Sequence, residues 1–302
     1  MTNHAVMSVP ANAPSTNSIY NRKTRISDSV LLVLIYLCAS ISILLLVGIM
    51  GYVFVRGIPQ INLEFLTTVP STIKGTFGII GNIVNTLYIV AITLLIATPI
   101  GVGAAIYLNE YAKGGKIVRV IEFTTETLSG IPSIIFGLFG YVFFGNTLGL
   151  GYSILTGALT LSIMVLPLIT RTTQEALKTV PESYRSGALG IGATKWYMIR
   201  TILLPSAMPG IVTGIILAIG RIVGESAALL FTAGSGYLLP KNFFGKIFES
   251  GGTLTIQLYL CMQKAKYGEA FGIAVVLLVI VLAINGLAKF LSHKFNTEVK
   301  ES

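Results

Sequence analysis

Long apolar stretches alternate with short polar segments along most of the chain. Residues 29–55 contain no charged side chain and are long enough for one tilted helix across a hydrocarbon core of about 30 Å. The pattern therefore predicts an all-α polytopic membrane protein. Its six predicted transmembrane helices cover residues 29–55, 79–108, 120–145, 152–170, 207–231 and 270–291. A further short helix is expected in the loop before the last span, over residues 254–266.

The composition places the chain in the same class. Of its 302 residues, 53% are hydrophobic and 11% charged, and the mean hydropathy of +0.81 lies outside the range of soluble domains. The net charge of +9 comes from Lys and Arg in the loops next to apolar segments, which indicates membrane lipids rather than nucleic acid as the surroundings.

The distribution of basic residues predicts the orientation. Fourteen of the 21 Lys and Arg lie in the segments on the side of the two termini, and six lie in the opposite loops. Because basic loops stay in the cytoplasm, we expect a multi-pass membrane protein with both termini cytoplasmic. Residues 1–28 are then a disordered cytoplasmic tail, residues 29–292 the six-helix domain, and residues 293–302 a cytoplasmic end.

Residues that carry chemistry are sparse. Cys38 and Cys261 lie far apart in the chain, so neither a disulfide framework nor a metal cluster is predicted. The two histidines, His4 and His293, stand near the ends, and no HExxH or GxSxG motif occurs. We therefore predict no catalytic residues, no metal site and no cofactor, and a protein that is not an enzyme.

Residues 171–205 form a charged segment between two apolar blocks and must lie in water beside the membrane. Their pattern resembles the cytoplasmic EAA loop of ABC importer permeases, which has EAA, three residues, G, nine residues, I, one residue and LP. The matching positions are Ser186, Gly187, Ala188, Gly192, Ile202, Leu204 and Pro205. Ser replaces the usual Glu and Gly the first Ala, so the contact that the Glu makes with an ATPase is altered here. The resemblance implies that two cytosolic ATPase subunits grip this segment.

Four stretches narrow the resemblance. Residues 97–112, 129–144, 166–181 and 209–233 are similar to the permeases of phosphate (Pst) importers, and the last of them to the A-type subunit. The likeness covers residues 75–291, with Ser226 and Ala228 replacing the usual Thr and Pro. It implies a type I ABC importer permease fold. It also implies a protein of the bacterial plasma membrane that transports phosphate together with a homologous C-type permease, the ATPases and an extracytoplasmic phosphate-binding protein.

Arg221 and Glu225 lie in the fifth apolar block, where a charge costs about 2.5–3.5 kcal/mol. Their spacing of four predicts a compensated pair on one helical face. The resemblance implies that both act in translocation, as does Arg171, while a purely structural ion pair is the alternative. Glu122 and Glu126 are expected to serve a helix N-terminus or to pair with basic neighbours.

Two other functions stay open at this point. The cargo of an ABC permease could be another oxyanion, such as sulfate or molybdate. A secondary transporter is the third possibility, with Glu225 as the proton carrier and no use for the charged segment.

Overall fold

The computed structural model describes residues 26–71, 75–112, 114–240 and 242–301, so the predicted tail lies almost entirely outside the described residues. Twelve α-helices are found in these ranges, and the only β-pairing there is an isolated bridge between Ser71 and Thr76. The helices are α1 Ile26–Gly57, α2 Leu63–Thr67, α3 Ile80–Ile106, α4 Lys116–Ser129, α5 Ser133–Gly140, α6 Ile154–Lys178, α7 Glu182–Gly190, α8 Lys195–Met198, α9 Leu204–Gly224, α10 Ala227–Thr232, α11 Leu254–Gln263 and α12 Tyr267–Glu301. π-Helical turns follow α3, α5 and α8, at Tyr107–Tyr111, Tyr141–Thr147 and Ile199–Leu203.

The described part of the chain contains five helical stretches long and apolar enough to cross a membrane. They cover residues 27–60, 80–111, 154–178, 195–224 and 267–290. A sixth crossing exists if α4 and α5 with its π-helical extension count as one broken span. The predicted number of spans is therefore reached only with that broken span, and the predicted short helix is confirmed by α11.

The third predicted span, residues 120–145, is not one straight helix. α4 and α5 meet at an angle of 104° across Gly130, Ile131 and Pro132. Proline has no backbone N–H, and it biases the preceding residue away from the helical region, so the helix ends before Ile131. α4 is also strongly amphipathic rather than uniformly apolar, with none of its residues buried.

Two compact units are found, Met1–Tyr52 and Val53–Ser302. In the first, the described part of α1 carries apolar side chains on all sides, and none is buried. A helix that is hydrophobic all round belongs in a membrane or inside a larger assembly.

The second unit is centred on α3, α6 and α9. α3 and α6 run in parallel and in close contact, since Gly101 of α3 lies against Ile169 of α6. α9 runs antiparallel to α6, with Gly210 against Ala176 and Gly214 against Thr172. The buried side chains of this core include Ile89, Leu161, Val165, Ile169, Ala218, Ile222 and Leu229.

The fifth apolar block contains two Gly-x-x-x-Gly spacings, a pattern that permits close backbone approach between helices. The pair Gly210 and Gly214 fulfils it against α6, whereas Gly220 and Gly224 have open space where a Cβ would stand.

The loop after α10 closes the end of the bundle opposite α7. The Asn82 side-chain amide donates to the carbonyl of Gly252 at 2.9 Å, and that of Asn85 donates to the carbonyl of Gly236 at 2.9 Å. Both asparagines are fully buried at the start of α3. This loop is thereby tied to the helix that crosses the whole unit.

Candidate functional site

Charged side chains line two adjoining cavities between α4, α6 and α9. The smaller cavity has a volume of about 230 Å³ and is lined by Thr125, Glu126, Ser129, Met164, Pro167, Leu168, Arg171 and Arg221. The larger has about 600 Å³ and shares Thr125, Glu126 and Arg171 with it; its other lining residues are Leu108, Arg119, Glu122, Phe123, Gln174, Glu175 and Lys178. We call the surface formed by these residues the polar groove.

The structure brings Arg171 and Arg221 to the same cavity. Arg221 lies in the last turn of α9, and its side chain makes no hydrogen bond or ion pair with any described residue. The Arg171 Nε lies 3.4 Å from Oε1 of Glu175, one turn along α6, and both side chains are well exposed. An exposed pair of this kind contributes about 0–1 kcal/mol, so it leaves the Arg171 guanidinium available to a ligand.

Glu225 lies elsewhere, and the predicted ion pair with Arg221 is wrong. α9 ends at Gly224, and Glu225 is extended, with φ −80° and ψ 126°. Its Oε1 accepts a hydrogen bond of 3.1 Å from the backbone N–H of Ala228, while its own carbonyl accepts one of 2.9 Å from the Thr255 hydroxyl. The spacing of four puts two residues on one face only while the helix continues, and here it does not.

Glu122 and Glu126 belong to the polar groove, which the sequence interpretation missed. α4 begins at Lys116, so both carboxylates lie beyond its first turn and do not serve its N-terminus. Neither forms an ion pair with a described residue. The signal that points to the groove is the spacing of Arg119, Glu122 and Glu126, which puts three charges on one face of an amphipathic helix.

The segment predicted as residues 171–205 is more helical than a loop. Its first eight residues continue α6 to Lys178, and α7, α8 and a π-helical turn follow. Gly192 separates α7 from α8 with φ +86°, a conformation that glycine adopts at little cost. Pro205 occupies the first turn of α9, where a missing N–H is tolerated. We call residues 182–205 the coupling segment.

The small residues of the matched motif lie on both faces of α7. Ser186 and Gly187 are exposed, whereas Ala188 is buried beneath α6; Ile202 and Leu204 are half-buried in the same cluster. Large apolar side chains are exposed in the same segment of the chain: Tyr184, Leu189, Ile191, Trp196 and Tyr197. Ile191 is 87% exposed. Several exposed large apolar side chains close together in a charged segment are typical of a protein interaction site.

Comparisons with known proteins give a consistent result. The family model described as "Binding-protein-dependent transport system inner membrane component" matches residues 97–297. The probable ABC transporter permease protein YqgI of Bacillus subtilis is 37% identical over 286 residues, which cover 90% of this chain and 96% of that protein. The phosphate transport system permease protein PstA of Haemophilus influenzae is 34% identical over 223 residues, covering 74% of this chain and 78% of that protein.

Solved structures agree on the fold. A chain from a bacterial ABC transporter involved in the import of the acidic polysaccharide alginate superposes with a TM-score of 0.64 at 18% identity, over 89% of this chain and 97% of that chain. A chain of the MetNI methionine ABC transporter in an inward-facing conformation gives a TM-score of 0.56 at 21% identity, over 73% of this chain and 95% of that chain.

Proposed function

Since the chain belongs to the family of binding-protein-dependent transport system inner membrane components and has the fold of type I ABC importer permeases, we propose that its cargo is inorganic phosphate. As a permease it is a transport subunit and not itself an enzyme. In this proposal it corresponds to the A-type subunit of a phosphate importer, in line with its similarity to PstA proteins.

The observation that carries the proposal is the pair of arginines in one cavity. Arg171 and Arg221 both line a space of about 230 Å³, far above the 10–15 Å³ that a single water molecule requires. A guanidinium offers forked donors that match two oxygens of an oxyanion. Since an arginine within an apolar helix costs about 2.5–3.5 kcal/mol, its place in this cavity calls for a functional reason.

Glu126 favours phosphate over sulfate as the cargo. A carboxylate accepts a hydrogen bond from a protonated oxygen and repels a fully deprotonated anion. Phosphate keeps a proton on at least one oxygen near neutral pH, and sulfate keeps none. Glu126 in the same cavity therefore admits the first anion more readily, and it keeps the two arginines from trapping the anion too strongly.

Glu225 takes a different role from the one expected for a proton carrier. Its carboxylate accepts a hydrogen bond from the backbone of the short helix α10 and lines neither cavity of the polar groove, so we infer that it holds the start of α10 without carrying charge across the membrane.

The remaining partners follow from the surfaces of the chain. Glu126, Arg171 and Arg221 are exposed in the single subunit, and a homologous C-type permease would close the groove over them. Two cytosolic ATPase subunits would grip the coupling segment. An extracytoplasmic phosphate-binding protein would deliver the anion at the opposite end, with both termini of this chain in the cytoplasm of a bacterial cell.

The test is uptake of labelled phosphate by the complete transporter in proteoliposomes. Arg221→Gln should abolish uptake while the ATPase subunits still copurify, because the substitution removes one of the two guanidinium groups with its charge and forked donors and leaves the coupling segment intact. Lys289→Gln is the control, since it also removes one positive charge but at an exposed position of α12 outside the groove.

Three results would reject the proposal. Uptake of sulfate or molybdate but not of phosphate would identify another oxyanion as the cargo. Uptake that needs no ATPase would indicate a secondary transporter. If Arg221→Gln lost the ATPase subunits together with transport, Arg221 would be structural.

A further inference from the structure

A largely buried guanidinium joins the coupling segment to the ends of α3 and α6. Arg185 lies on α7, and its side chain is 13% exposed. Its Nη2 and Nε lie 3.1 Å and 3.2 Å from Oε1 of Glu110, whose side chain is 5% exposed. Glu110 is part of the π-helical turn that follows α3, so this ion pair spans 75 positions of the chain.

The same guanidinium also holds the end of α6. Its Nη2 donates to the carbonyl of Leu177 at 2.9 Å, and its Nη1 donates to the carbonyl of Val180 at 3.0 Å. These carbonyls belong to the last turn of α6 and the residues just after it, beyond the regular hydrogen bonds of the helix; that of Leu177 also accepts from the Val180 N–H at 3.4 Å. A cation at this end also complements the partial negative charge of the helix.

Glu110 is contacted from the second half of the coupling segment as well. Lys195, at the start of α8, donates from Nζ to the backbone carbonyl of Glu110, and the same Nζ lies 5.0 Å from the ring centre of Tyr111. α7 and α8 therefore both attach to one π-helical turn, from either side of the bend at Gly192.

Stability alone does not require this arrangement. The ion pair between Arg185 and Glu182, within α7, would already neutralise the guanidinium in water. In addition to that pair, the guanidinium lies largely out of solvent against a carboxylate from another part of the chain, at a cost in desolvation that only good geometry repays. Such a pair fixes one relative placement of the parts that it connects.

We propose that Arg185 is a positioning residue that makes α7, the end of α6 and the turn after α3 move as one body. Motion imposed on the coupling segment is then passed to α6, which carries Arg171, and to α3 beside it. This inference rests on the coupling segment of the proposed function and not on the identity of the cargo.

The direct test is amide hydrogen exchange on the complete transporter, with and without a non-hydrolysable ATP analogue. In the wild type, we expect the analogue to change protection both in residues 182–190 and in residues 107–111. In Arg185→Met, the change in residues 182–190 should persist while that in residues 107–111 falls at least threefold. Equal changes in both segments of the variant, or no change in residues 107–111 of the wild type, would overturn the proposal.

Milder variants guard against misfolding. Glu110→Gln is nearly isosteric and removes only the charge, and Arg185→Lys keeps the charge but loses the fork, so both should reduce the transmitted change in protection. Glu269→Gln is the matched control, because it also removes a carboxylate from an ion pair, with Lys266 just before α12, but outside the coupling segment and the polar groove. It should behave as the wild type, and a defect as large as that of Glu110→Gln would contradict the proposed link.

A second measurement is ATP hydrolysis stimulated by the binding protein, tried with phosphate, sulfate and molybdate in turn. At least tenfold weaker stimulation in Arg185→Met, with copurification of the ATPases unchanged, is the expected result. Stimulation within twofold of the wild type would overturn the link. Stimulation of the wild type by sulfate alone would reject phosphate as the cargo and still leave this comparison valid.

Discussion

Replacing Gly101 by alanine should loosen the contact between α3 and α6. An alanine Cβ at this position would stand 2.8 Å from Cγ2 and 3.0 Å from Cβ of Ile169. Carbon atoms of neighbouring side chains are in best contact at about 3.5–4.0 Å. Ile169 is 1% exposed and branched at Cβ, so it has no free rotamer into which it can retreat.

The expected size follows from two opposing terms. Overpacking of a filled core costs about 1–3 kcal/mol, whereas exchanging glycine for alanine within a helix contributes about 0.5–1 kcal/mol of stabilisation. Gly103, on the same helix, has nothing within 4 Å of its would-be Cβ, so Gly103→Ala receives only the second term. The two variants should therefore differ in free energy of unfolding by the overpacking cost alone, about 1–3 kcal/mol.

Thermal unfolding of the purified subunit in detergent measures this difference. At about 2–4 °C per kcal/mol for a unit of this size, Gly101→Ala should melt about 2–12 °C below Gly103→Ala. Adding Ile169→Ala to Gly101→Ala should cost less than the sum of the two single changes, because the new methyl group fills part of the space that Ile169 leaves. Equal melting temperatures of the two glycine variants would refute the close packing of α3 on α6.

Three further predictions concern the coupling segment, α11 and the break after α9. Gly192→Ala should weaken copurification with the ATPases, because the backbone at Gly192 has φ +86°, which alanine adopts only at a cost. Gly190→Ala is the control, since Gly190 has open space for a Cβ and no positive φ, and it should not weaken copurification. Equal copurification of the two variants would contradict this. Burial raises the pKa of the Cys261 thiol. In a variant that lacks Cys38, a water-soluble maleimide should therefore react slowly with Cys261 at neutral pH and faster as the pH rises. Reaction as fast as that of a thiol in a small peptide would contradict this. Glu225→Gln keeps a side-chain acceptor for the α10 cap and should retain most phosphate uptake, unlike Arg221→Gln; a loss as deep in both would indicate that the carboxylate charge is needed.

Hydropathy predicted the crossings well, because a hydrocarbon slab requires about 20 consecutive apolar residues wherever a helix spans it. The second and sixth predicted spans, 79–108 and 270–291, agree with the observed 80–111 and 267–290 within a few residues. Hydropathy carries no information on the direction of a helix axis, so the bend between α4 and α5 at Pro132 was missed. The proline itself was the available signal, since it removes a helix hydrogen bond and disfavours helical backbone before it.

The site was predicted in part. Arg171 and Arg221 were singled out as charges at the edge of or inside apolar blocks, and the structure brings them to one cavity. Glu126 was not assigned to that cavity, because its position depends on how α4 packs beside α6 after the bend, which is a tertiary effect. The end of α9 before Glu225 also depends in part on tertiary contacts, since the Thr255 hydroxyl of α11 donates a hydrogen bond to the Glu225 carbonyl.

The break explains how an arginine is accommodated without a carboxylate partner. Because α9 ends at Gly224, Arg221 lies in the last turn of the helix, where the free carbonyl groups carry a partial negative charge. That charge offsets part of the cost of placing the guanidinium in an apolar helix. Since it forms no fixed ion pair with the guanidinium, the N–H donors of Arg221 stay available to a ligand. A continuous helix would instead have placed Glu225 one turn away on the same face, and the pair would have neutralised itself. The interrupted helix therefore favours binding of an external anion, and the proposed transport of phosphate depends on that interruption more than on the sequence spacing of the two charges.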